Sequence, residues 1–156
     1  PRHIHRINKI VKEIENLKLN VIKHSSNKKI LKNTDIYLVD TYGETIKFYQ
    51  ASDIVFMGKS LTSKGGQNPL EPTRYNASIL HGPNISNFLD IYRLLSKLKI
   101  THKITSINNL THMVNKLMIK PNNHRNYLKI EKIGKKILHE TKDEINSLLS
   151  NEIKKT

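Results

Sequence analysis

The run Lys64-Gly65-Gly66-Gln67-Asn68-Pro69-Leu70-Glu71-Pro72 concentrates the chemistry of this chain. A glycine pair bends the backbone tightly and puts no Cβ in the way of a ligand. Asn68 suits an N-cap and Pro69 the first helical position. The spacing therefore predicts a loop that opens into a helix at Asn68, with its first N–H groups turned towards an anion. Glu71 follows three residues after the cap. A phosphate cradle beside a fixed carboxylate suits a nucleotide, with N–H donors for the phosphate and an acceptor for ribose hydroxyls. The same residues also fit a capping box, in which Glu71 only satisfies backbone N–H groups. On this run alone the two readings stand level.

Other candidates are scattered. Gly43 and Glu44 follow an apolar run, where a turn could expose backbone groups to a base or simply start a helix. Ser60 is a hydroxyl donor for a phosphate or an ordinary loop serine. Arg2 offers a bidentate fork to a carboxylate or phosphate, with His3 beside it. Asn84 and Asn87 either approach a sugar or cap the next helix, and capping is the safer assignment. Gly58-Lys59-Ser60 resembles the end of a P-loop, but the glycine needed five residues earlier is Asp53, so ATP hydrolysis is not indicated. His5, His24, His102, His112, His124 and His139 show no metal-ligand spacing and read as surface or core residues. No metal or cofactor is expected.

The elements that must hold these residues alternate. Ile4, Ile7, Val11, Ile14 and Leu17 recur at helical spacing over residues 4–18. Strands are predicted at 20–24, 35–39, 53–57, 78–81 and 102–107. Helices are predicted at 44–51, from Asn68, along Phe88, Tyr92, Leu95 and Leu98, and along Leu110, Val114 and Leu117. Pro121 breaks the chain before a long helix from Asn122, with a kink near Gly134 or a break near Glu140. Alternating strands and helices predict an α/β fold: a Rossmann-like parallel sheet with helices on both faces. Ligands on such sheets sit at the carboxyl ends of the strands, where the loops after Val39, Met57 and His81 and the opening Arg2-His3 would fall.

The chain has 156 residues, 27 Lys and Arg against 13 Asp and Glu, a net charge of +14, and no Cys. Disulfides and thiolate metal sites are excluded. The basic residues are spread along the whole length, in a chain rich in Ile, Asn and Lys. That pattern fits the composition of an AT-rich genome better than a dedicated nucleic-acid patch. No apolar run reaches the roughly eighteen residues of a membrane span.

In order and spacing, several motifs together resemble the C-terminal half of the Kdo (3-deoxy-D-manno-octulosonic acid) transferases of lipopolysaccharide synthesis. They are Pro1-Arg2-His3, Asp40-Thr41-Tyr42-Gly43-Glu44, the run from Ala51 to Leu61, Gly65-Gly66-Gln67-Asn68-Pro69-Leu70-Glu71-Pro72, Gly82-Pro83-Asn84 and Asn87-Phe88. The likeness covers about the first ninety residues, and its most specific piece is the glycine pair leading to Glu71. Lys59 stands where the family has glycine, Gln67 where it has histidine, Thr73 where it has alanine, and Asn76-Ala77 where it has a Gly-Lys type turn.

The resemblance implies the C-terminal domain of a GT-B glycosyltransferase, with residues 1–120 binding CMP-Kdo and residues 121–156 bracing the N-terminal domain. It implies Glu71 on the ribose hydroxyls, backbone N–H groups of Gly65, Gly66, Gln67 and Asn68 on the phosphate with Ser60 assisting, Gly43 and Glu44 at the base, and Arg2 and His3 at the donor. It further implies an inverting reaction on a lipid A precursor at the cytoplasmic face of the inner membrane, beside an anionic surface. The general base would be a glutamate of the N-terminal half, so no catalytic residue is assigned here. The chain reads as a fragment, expected to bind donor and to transfer nothing alone. The alternatives are another GT-B enzyme with a different nucleotide, a basic nucleic-acid module, or the product of a broken gene. The intact apolar periodicity counts against the last.

Overall fold

The computed structural model describes residues 4–62, 65–119 and 124–153. They form two compact units, Pro1–Thr45 and Ile46–Thr156. The sequence places its own boundary later, between residues 120 and 121.

In the first unit, helix α1 (Ile7–Asn16) buries Ile7 and Ile14, one face of the helical stripe, while Leu17 just beyond it is exposed. Strand β1 (Val21–Lys23) pairs in parallel with β2 (Ile36–Leu38), with Ile22 opposite Tyr37. A one-turn 3-10 segment, His24–Ser26, follows β1.

The second unit carries α2 (Thr45–Gln50, which begins one residue before the boundary), β3 (Ile54–Met57), α3 (Leu70–Thr73), β4 (Ser78–His81), α4 (Leu89–Lys97), β5 (Thr101–Lys103), α5 (Ile107–Ile119) and α6 (His124–Ile153). Its sheet runs β3-β4-β5, parallel throughout, with Met57 opposite His81 and His81 opposite Lys103. β4 is buried along its whole length, as a central parallel strand should be. Its alternation divides the core. Ile79 joins Met57, Leu95 and Ile100, with Ile130 of α6 packed against them. Leu80 points to the opposite face, with Ile104 and Leu117. Helices therefore cover both faces, and the fold class is the Rossmann-like α/β one read from the sequence, with its strands divided between a pair and a triplet.

Three elements depart from expectation. β5 ends at Lys103: the N–H of Ile104 still reaches the His81 carbonyl at 2.7 Å, but Ile107 already starts α5. The helix after Asn68 is a single turn, since Asn76 takes a left-handed φ of 63° and turns the chain into β4. α6 runs unbroken through Gly134 and Glu140, because one helical glycine costs only about 1 kcal/mol. No helix among the described residues is long and apolar enough to cross a membrane.

Candidate functional site

Because β3, β4 and β5 are parallel, the loops after β3 and β4 leave the same edge of their sheet. Several bonds stitch them together. The N–H of Asn84 donates to the Ser60 carbonyl at 2.9 Å, and that of Asn87 to the Gly65 carbonyl at 3.2 Å. The Asn84 amide donates to the Leu61 carbonyl at 3.2 Å. Neither Asn84 nor Asn87 caps a helix, contrary to the safer sequence assignment. They tie one loop to the other.

The glycine pair explains how closely the loops approach. Gly65 and Gly66 have φ of 100° and 69°, values that L side chains rarely adopt. A Cβ on Gly65 would meet the Asn87 side chain at 2.8 Å, and one on Gly66 the Asn84 carbonyl oxygen at 2.8 Å. The space freed by the missing side chains is therefore filled by the protein's own 84–87 segment. This corrects the expectation that it admits a ligand: the pair makes room for a loop.

Gly65 and Gly66 are buried, Gln67 is half-buried and Asn68 is exposed. Among the described residues, the backbone N–H groups of Gly65, Gly66, Gln67 and Asn68 donate to no internal acceptor. The helix is bounded at Leu70, but Pro69 before it already has helical φ and ψ of −83° and −6°, so Asn68 stands at the cap, its Oδ1 accepting from the Leu70 N–H at 3.0 Å. With only the turn Leu70–Thr73 behind it, the helix dipole adds little, and the N–H donors themselves matter. Glu71 is exposed, and among the described residues its carboxylate takes part in no hydrogen bond or ion pair. The capping-box reading therefore fails: Asn68 caps, but Glu71 does not reach back. The Glu71 charge is felt by Tyr49, whose hydroxyl is pushed above its usual range by burial first and by Glu71 second. Tyr49 stacks on Tyr75 with ring centroids 6.5 Å apart.

Ser60 has a different task from the one expected. It is wholly buried, donates its hydroxyl proton to the Met57 carbonyl, and accepts from the Gly82 N–H at 2.8 Å. Its hydroxyl joins β3 to the loop after β4. Lys59, in the position where the family has glycine, has a left-handed backbone at φ 66°. An L residue there carries about 1–2 kcal/mol of strain. The Gln67 carbonyl is held by the Tyr92 hydroxyl at 3.1 Å. The Tyr92 ring lies 4.4 Å from the buried His81 ring, and burial pushes its hydroxyl up to about 12.

His81 and Tyr92 are supports that the sequence did not single out. The signal was an aromatic with a polar tip inside an apolar stripe. His81 Nδ1 lies 2.7 Å from the Gly82 carbonyl, so in the neutral ring Nδ1 carries the proton and donates. Burial holds His81 below the usual histidine range despite that bond, with Lys103 assisting. His102 is lowered too, by burial, then Lys116 and His81, and its Nε2 is buried without a partner among the described residues. Both histidines fold as neutral rings. The unfolded chain therefore binds more protons near its own pKa of about 6.5, and stability is full above that value and falls as pH drops below it. Thermal unfolding should show Tm falling from about pH 7 to about pH 5, with a shallower fall in His102→Gln. Parallel slopes in the two proteins would contradict this.

Gly43 and Glu44 belong to the first unit. Gly43 has φ of 84° with open space where a Cβ would stand, so its conformation alone calls for glycine. Glu44 Oε2 accepts from the Thr41 hydroxyl at 2.6 Å and lies 2.7 Å from His24 Nε2. Arg2 and His3 lie outside the described residues.

No family model matches. The chain is 35% identical over 106 residues to a 3-deoxy-D-manno-octulosonic acid transferase of Haemophilus influenzae, covering 68% of this chain and 25% of that protein. It is 33% identical over 147 residues to the Rickettsia bellii protein of the same name, covering 90% and 35%. A bifunctional glycosyltransferase/methyltransferase of Fusobacterium nucleatum is 34% identical over 109 residues, covering 69% and 17%. The chain thus spans about a third or less of the length of these relatives. Among solved structures, the C-terminal CMP-Kdo binding domain of WaaA from Acinetobacter baumannii matches with a TM-score of 0.72 and 27% identity, covering 77% of this chain and 63% of that one. On sequence and fold together, the chain belongs to the 3-deoxy-D-manno-octulosonic acid transferases and corresponds to their C-terminal half.

Proposed function

We propose that this chain is the donor-binding part of an inverting GT-B glycosyltransferase that moves Kdo from CMP-Kdo to a lipid A precursor in lipopolysaccharide synthesis. One observation carries the reading: among the described residues, an exposed carboxylate, Glu71, with no hydrogen bond or ion pair follows a bend whose N–H groups have no acceptor. The family and the likeness to a domain described as CMP-Kdo binding support the choice of ligand.

In this proposal Glu71 accepts from the ribose hydroxyls. The N–H groups of Gly65, Gly66, Gln67 and Asn68 meet the phosphate, and Gly43 and Glu44 are assigned to the base. Arg2 and His3 are assigned to the donor. Acceptor binding and the general base that removes the acceptor proton are assigned to an N-terminal half. The 156 residues alone then bind donor and transfer nothing. The half-exposed Ile137, Leu138, Ile145, Leu148 and Leu149 of α6 fit a segment that braces that half. The net charge of +14 suits the anionic cytoplasmic face of an inner membrane.

A rival reading within the same architecture is a different nucleotide donor. Titrating the chain with CMP, UMP and GDP, followed by amide shifts, separates the two. Saturation by CMP, with UMP and GDP at least about tenfold weaker, is the expected result. Tighter binding of UMP or GDP would transfer the site to another sugar nucleotide.

A further inference from the structure

Both ring nitrogens of His24 are engaged. Nε2 lies 2.7 Å from Glu44 Oε2, and Nδ1 lies 2.7 Å from the Tyr37 hydroxyl. A carboxylate only accepts, so Nε2 must carry a proton. In the neutral ring Nδ1 then accepts from the Tyr37 O–H, which fixes the tautomer. The Tyr37 ring meets the imidazole edge-on, with centroids 5.6 Å apart at 88°. The Thr41 hydroxyl donates to the same Glu44 oxygen. Two donors from different segments thus converge on one carboxylate oxygen and restrict the Glu44 rotamer.

The neighbouring residue grips the other end of the same loop. The Ser25 N–H donates to Asp40 Oδ1 at 2.9 Å and its hydroxyl to Asp40 Oδ2 at 2.6 Å. The Ser25 hydroxyl bond is the main cause of the lowered Asp40 pKa. The turn after β1 therefore clamps the 40–44 loop after β2 at both ends, and these loops leave adjacent parallel strands at their carboxyl ends. Hydrogen bonds that orient a ligand-binding group are commonly worth an order of magnitude in affinity, although the residues making them touch no ligand.

We propose that His24 is a positioning residue for donor recognition: it holds Glu44 through Nε2–H, Tyr37 fixes its tautomer, and it makes no contact with the nucleotide itself. The inference rests on the donor-binding reading above. It gives a task to a histidine that showed no chemistry in the sequence.

The test titrates CMP into the wild-type chain and into His24→Ala, His24→Gln and Tyr37→Phe, with Tm and the Gly43 amide shift recorded for each. The glutamine amide can place an N–H where Nε2 stood. We expect His24→Ala to bind roughly tenfold more weakly, His24→Gln to recover most of that loss, and Tyr37→Phe to fall between them. Equal affinity in wild type and His24→Ala would overturn the inference and leave the donor reading intact. Equal weakness of His24→Ala and His24→Gln would overturn the Nε2–H role. Should His24→Ala fail to fold, unchanged affinity in Tyr37→Phe overturns it instead. No binding by the wild type would overturn the donor reading, and this inference with it.

Discussion

Glu71→Ala should weaken CMP binding by this chain about 10- to 100-fold while leaving its thermal unfolding unchanged. The magnitude is that of a carboxylate accepting from two vicinal hydroxyls, since hydrogen bonds to a charged group contribute about 1.5–3 kcal/mol. The unchanged Tm follows from the absence of any hydrogen bond or ion pair on the Glu71 carboxylate among the described residues. Glu71→Gln keeps the size and loses the charge, and should fall between the two. Calorimetric titration with CMP alongside thermal scans of all three proteins checks this. Equal CMP affinity in Glu71→Ala would remove Glu71 from the ribose. A large drop in Tm would restore the structural role that the geometry denies it.

Gly82→Ala should be the most destabilising single methyl in the molecule. A Cβ there would stand 2.4 Å from the Ser60 carbonyl oxygen and 2.7 Å from its carbon. These are backbone atoms and cannot swing away. The same carbonyl accepts from the Asn84 N–H, and the Ser60 hydroxyl accepts from the Gly82 N–H, so relief of the clash must break the stitching between the two loops. Overpacking of this kind costs about 3 kcal/mol or more, which lowers Tm by roughly 6–12 °C in a chain of this size. CMP affinity should fall with it, because the moved loop carries the 65–68 N–H groups. Gly134→Ala is the contrast: its Cβ meets nothing within 4 Å, and in a helix interior alanine gains about 1 kcal/mol. A Gly82→Ala protein as stable as wild type would mean that the loops are not held as described.

The periodic parts of this fold were legible in the sequence. The β4 bounds coincide with the predicted 78–81, a short segment centred on the β-favouring pair Ile79-Leu80 and ended by Gly82. The stripe through Tyr92 and Leu95 became the buried side of α4. The Asn68 cap was legible as well, since capping depends on local residue types. What was not legible depended on distant partners. Nothing near Ser60 in sequence says that Gly82 will take its hydroxyl. Nothing near Gly65 and Gly66 says that the 84–87 segment, rather than a ligand, fills the space of their missing side chains. His24 read as an ordinary histidine because Glu44 and Tyr37 reach it only after β1 and β2 pair. The Lys59 backbone shows a related limit. The departure from the family's glycine does not say in sequence that Lys59 will adopt a left-handed backbone and accept its strain.

The most direct measurement is a residue-by-residue amide map of the chain at saturating CMP. The account predicts that the largest shifts fall on Gly65, Gly66, Gln67 and Asn68, with Glu71 close behind. CMP binding that leaves those amides unmoved and perturbs a different surface would contradict it.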